Sequence, residues 1–183
     1  MLGLWRLNMN DEKIEIIYKN SEIEPFRQDI LASNLCDIFL PVSFIQSDGY
    51  VGAVYDMHGY EYYPNIKTMK ASTLIGVVTS LIEKSRQADR RYFFTSEYSL
   101  DPNLVFVNTK IPDAALIYKK TVPGTNAEVL EELKRLLQPE KAEVKGLDYI
   151  RKALFILTDY SRSFEIIRHD LMAIGTEAFR AEC

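Results

Sequence analysis

Few residues in this chain combine the type and the spacing that chemistry needs. The two histidines, His58 and His169, lie far apart, and neither stands at a metal-ligand spacing. His58, in a tyrosine-rich stretch, reads as a turn residue, and His169 beside Asp170 as a solvated or capping pair. Cys36 and Cys183 make neither a disulfide framework nor a metal set, and their number suits a reducing cytoplasm. No Gly-x-Ser-x-Gly elbow, Walker loop or Gly-x-Gly-x-x-Gly is present, and the eight glycines are too scattered to cradle a phosphate. Asp101, Asn103 and Asn108 are the only clustered polar groups near an expected strand end. Such oxygens could hold a metal, or they form turns, since Asp101-Pro102 initiates a bend that Asn103 tolerates. The reading is of no catalytic residue, no cofactor and no metal.

The unusual cluster is aromatic: Tyr50, Tyr55, Tyr60, Tyr62 and Tyr63. Tyrosine packs well behind a hairpin, and it is also enriched among interface anchors. These five are therefore the candidate protein-binding residues, with two outcomes open. The rings either plug a cleft or face a partner. Base stacking is disfavoured, because it needs interleaved Arg or Lys and the neighbours are Asp48, Asp56 and Glu61.

The elements that must hold these residues follow from periodicity. Glu12–Lys19 is β-branched and partly alternating, a strand. Ser21–Asn34 carries a helix start at Pro25, then Phe26, Ile30 and Leu31 at helical spacing. Phe39–Gln46 and Tyr50–Met57 are apolar strands around the hairpin signal Ser47-Asp48-Gly49. His58–Lys67, broken by Gly59 and Pro64, is a connector. Ser72–Lys84 shows the stripe Leu74, Ile75, Val78, Leu81 and Ile82, and the polar run Ser85–Arg91 either extends or caps that helix. Short strands are expected at Leu104–Asn108 and Ala114–Lys119, then a loop over Thr121–Asn126. Three helices follow: one capped by Asn126 and ended by Pro139, then Val144–Asp159 and Phe164–Phe179. The fold class is α+β: a sheet-bearing half over 1–57, the connector over 58–67 and a helical half over 68–183.

The 183 residues are 47% hydrophobic and 26% charged, which suits one globular domain and rules out disorder. A net charge of −4 argues against an electrostatic nucleic-acid binder. No run approaches the ~18 apolar residues of a membrane span, and Met1–Leu7 is too short for a signal peptide. A cytoplasmic chain without membrane insertion is expected, and self-association stays open.

Tyr98–Asn108 followed by Asp113–Lys119 gives a helix, a loop with Asp-Pro, a strand, a turn and a second strand. That order resembles the catalytic loop of protein kinases, and the earlier strand, helix, hairpin and connector resemble their small lobe. The whole is similar to a shortened protein-kinase-like, or pseudokinase, domain. More narrowly it resembles a domain of unknown function that precedes forkhead-associated modules in Firmicute proteins. The residues that carry this are Ile38–Ser43, Val54–Gly59, Leu100–Asn108 and Ala115–Tyr118. It is also similar to the cytoplasmic pseudokinase-like domain of a membrane component of type VII secretion systems.

The resemblance places Ser99 at the catalytic aspartate, Leu104 at the Mg²⁺-binding asparagine and Tyr118 at the metal-binding aspartate. None of these can do that work. Shifting the register to make Asp101 the base puts Phe106 at the asparagine position. Lys19 would imitate the nucleotide-contacting lysine and Glu24 its helix partner, or Lys19 is simply a surface lysine at a strand end. The resemblance thus implies a catalytically inactive protein-binding or scaffolding domain in bacterial signalling or secretion. The alternatives are a nucleotide-binding protein or enzyme with an unrecognised site, using Asp101, Asn103 and Asn108, and a structural oligomerisation domain built on the last helices.

Overall fold

Alternation fixes the first sheet. The computed structural model describes residues 5–6, 12–108 and 110–183; of the stretch Met1–Leu7, only Trp5 and Arg6 fall among them. Strand β1 (Trp5–Arg6) lies antiparallel to β2 (Lys13–Lys19), in which every second residue is buried. Ile14, Ile16 and Tyr18 face inward and the charged residues outward, as a half-buried strand requires. Helix α1 (Pro25–Ala32) follows, with proline in its first turn, where a missing N–H costs nothing. Then come β3 (Val42–Ser47) and β4 (Tyr50–Asp56), joined through Asp48 and Gly49. Gly49 has φ +79°, a left-handed conformation that glycine enters without strain. The antiparallel order is β1-β2-β4-β3.

The connector is less irregular than its glycine and proline suggest. Glu61–Tyr62 forms a two-residue strand, β5, followed by a tight turn over Tyr63–Asn65. Strand β5 pairs with β6 (Val105–Asn108), which pairs with β7 (Asp113–Leu116), giving a second antiparallel sheet in the order β5-β6-β7. The Nζ of Lys141 donates to the carbonyls of Tyr63, Pro64 and Ile66, so the connector is tied down at both its strand and its turn.

Helix α2 (Ala71–Asp89) crosses the helical half and buries the expected stripe; Ser85 and Ala88 are buried too, so the polar run extends the helix. Gly76 lets α2 approach the β6–β7 turn: a Cβ there would lie 2.4 Å from Cβ of Pro112. Helix α3 (Asn126–Lys134) is capped by Thr125 rather than Asn126. Thr125 and Glu128 form a reciprocal capping box, which satisfies two free N–H groups where Asn126 would satisfy one. Helix α4 (Leu147–Ile156) starts later than expected, because Val144–Gly146 is a tight turn pressed against Ala71. Helix α5 (Phe164–Glu182) packs along α2 through Ile167, Leu171 and Ala178. The class is α+β, with two small antiparallel sheets and five helices among the described residues.

Candidate functional site

The place to look for chemistry is the junction of the first sheet with the segment after β7. Tyr18 and Tyr55 point inward from β2 and β4, and Tyr118 follows β7; all three are buried. The Tyr18 hydroxyl donates to the carbonyl oxygen of Tyr118 at 2.6 Å and lies 2.8 Å from that of Tyr55, which must then be the donor of the pair. From α1, Arg27 donates to the Tyr118 hydroxyl at 3.1 Å and to Glu97 at 2.6 Å. Its guanidinium also lies 5.2 Å from the Phe93 ring centre. Phe39, Phe93, Tyr98 and Tyr118 fill the remaining volume, with ring centres 5.2–5.5 Å apart in tilted and edge-on pairs.

Electrostatics fix the protonation of this junction. Burial, then the neighbouring Tyr55, pushes the Tyr18 hydroxyl well above its ordinary value. Burial does the same to Tyr55, against the opposing effect of its hydrogen bond with Tyr18. Both therefore stay neutral donors at any physiological pH. Burial opposes the charge on Arg27, but the bonds to Glu97 and Tyr118 outweigh it and raise its pKa. A neutral, fully bonded hydroxyl chain is neither nucleophile nor base.

The loop resembling a catalytic loop is likewise committed. Ser99 is buried, and its hydroxyl donates to Glu132 of α3 at 3.0 Å. The other Glu132 oxygen accepts the Leu100 N–H at 2.6 Å, and the Asp101 N–H donates back to Ser99. Leu104 is core. Asp101 accepts the backbone and side-chain N–H groups of Asn103 at 2.8 and 2.9 Å, and Asn108 accepts from the Lys110 N–H at the far end of β6. These three are turn formers set at opposite ends of a strand. Among the described residues no group of three or more His, Cys, Asp or Glu side chains could hold a metal.

Lys19 and Glu24 are not paired. Lys19 ends β2 on its exposed face, while Glu24 binds Lys120 and lies 3.3 Å from Arg27. His58 is exposed and bonded to Glu12 at 2.7 Å, and His169 is exposed beside Asp170. The five tyrosines part company, so neither of the two outcomes left open for them holds for the group as a whole. Tyr55 and Tyr63 are core, and Tyr63 donates to the Leu136 carbonyl at 2.7 Å. Tyr60 and Tyr62 are half-buried, donating to Asp113 and to the Asn103 carbonyl. Tyr50 alone is substantially exposed, at the β3–β4 end. Strand parity explains the split: Val51, Ala53 and Tyr55 share the buried face of β4, and Tyr50 falls on the other.

Arg27, Glu97 and Glu132 are the residues that the sequence did not single out. Arg27 stands four positions before Leu31, on the face α1 buries, which was the available signal. An open, polar cleft of about 470 Å³ lies beside the connector, lined by Tyr63, Asp101, Asn103, Arg135 and Gln138 among others. No helix among the described residues is long and apolar enough to cross a membrane.

No family model matches this chain, and no curated protein does. Among solved structures it is similar to the crystal structure of the EssB cytoplasmic fragment of Staphylococcus aureus, with 12% identity, 88% of this chain and 90% of that one covered, and a TM-score of 0.42.

Proposed function

We propose that this chain is a catalytically inactive, kinase-like domain that binds another protein in the cytoplasm of a bacterium, in secretion or signalling. One observation carries the reading: the junction where the resemblance would seat a nucleotide is closed by Tyr18, Tyr55, Tyr118 and Arg27, all buried and mutually bonded. Opening it for a triphosphate would unpair several buried polar groups at about 1–3 kcal/mol each. The Ser99 loop supports the same reading, since its hydroxyl is bound by Glu132.

Thermal melting with millimolar ATP and Mg²⁺ tests this. A ligand at about 100 times its dissociation constant adds roughly 2.7 kcal/mol, several degrees for a domain of this size. No shift is expected. A reproducible Mg²⁺-dependent rise overturns the reading.

A further inference from the structure

Far from the filled junction, the turn after α1 meets the C-terminal end of α2 in a cleft of about 290 Å³. Its walls include Leu35, Asp37, Arg90 and Arg91. Glu83, in the same wall, is already matched by Arg86 and Arg168 at 3.4 and 3.2 Å. Arg90 and Arg91 form no ion pair among the described residues, and both are exposed. The cleft walls set Arg86, Arg90 and Arg91 against Asp37 and Glu83, a net positive corner in a chain whose net charge is −4. Leu35 in the same wall is 50% exposed, and Tyr92, the residue after Arg91, is 68% exposed. Tyr92 also holds φ +64°, where glycine or asparagine would sit with less strain. The fold does not ask for that ring.

We propose that this corner docks an acidic segment of a partner protein. Arg90 and Arg91 pair with two of its carboxylates, and Leu35 and Tyr92 cover an adjacent apolar side chain. This rests on the protein-binding reading above and names the chemistry of the partner.

The probe is a fluorescein-labelled decapeptide of Glu and Asp with one Leu and one Phe, compared with its Gln/Asn counterpart by anisotropy on the whole chain. The acidic peptide should bind and the amide peptide should not. R90E/R91E should weaken binding by at least about tenfold and Y92G several-fold. The charge-matched control K67E/K145E should bind as the parent does. If R90E/R91E melts early, R90Q/R91Q replaces it. Absent binding, or binding that survives the arginine substitutions, overturns the proposal. So does tighter binding to phosphatidylserine vesicles or a single-stranded oligonucleotide that the same substitutions abolish. The ATP melt is unaffected by any of these results, so this surface and the inactive-domain reading fail separately.

Discussion

Tyr18 and Tyr118, one hundred residues apart, are joined by a hydroxyl donating to a backbone carbonyl at 2.6 Å. The bond crosses from the first sheet to the segment after β7, and it makes Tyr18 the hub of the buried chain, since Tyr55 must donate to it.

Removing the two hydroxyls should therefore have unequal effects. Tyr18→Phe leaves a buried carbonyl and a buried hydroxyl without partners and should cost about 2–4 kcal/mol; Tyr55→Phe leaves Tyr18 its acceptor and should cost about 1. Urea denaturation of the two variants checks the order. Equal losses would mean that the Tyr118 carbonyl is satisfied in another way.

Gly76 should resist substitution. Alanine gains up to about 1 kcal/mol in helix propensity, but its Cβ would meet Cβ of Pro112 at 2.4 Å, and overpacking of that kind costs about 1–3 kcal/mol. Net destabilisation is expected. Because the clash is with a β-carbon, Pro112→Ala should not relieve it, whereas Pro112→Gly should. A double-mutant cycle reads the coupling directly.

Asp113 gives the acid limb of stability. Burial works against its charge, but hydrogen bonds from Lys84 and Ser80, together with the Lys84 charge, hold its pKa below the ordinary carboxylate value. Its contribution is present above the unfolded-state pKa and is lost as pH falls through the lower folded value. Asp113→Asn should cost about 2 kcal/mol at pH 7, with the difference from the parent shrinking below about pH 4. Denaturant melts across that range would refute this by showing a constant difference.

Phe106 anchors the second sheet from β6, fully buried with its ring centre 5.2 Å from that of Tyr62. Phe106→Ala should cost about 3–5 kcal/mol, a large part of a typical ~5–15. An unchanged melting temperature would contradict its place in the core.

What the sequence made legible was local. The Asp48-Gly49 turn, the α2 stripe and the alternation of β2 each depend on neighbours within a few residues, and each is in place. Strand β5 was invisible because two residues carry no periodicity and their partners, Phe106 and Val107, come more than forty positions later. Thr125 was passed over for Asn126 because both are good caps; Glu128 three residues on decided between them. The tyrosines could not be sorted from composition, which treats Tyr50 and Tyr55 alike, although one position more or less turns a side chain to the opposite face. Arg27 was unread because the groups it hydrogen-bonds, Glu97 and the Tyr118 hydroxyl, come from distant segments, although Glu24 stands only three positions before it.

One lysine decides which half the connector belongs to. With its ammonium on three carbonyls of the connector, and with β5 stitched into the second sheet, Lys141 makes that segment a splice and not a pivot. Both ties run to residues of the helical half, so the connector belongs to that half, and the first sheet is held to it by bonds such as that from Tyr18 to the Tyr118 carbonyl and that from the Leu40 N–H to the Leu116 carbonyl. Separating the halves therefore means breaking buried bonds of the filled junction, while the connector stays docked on the second sheet.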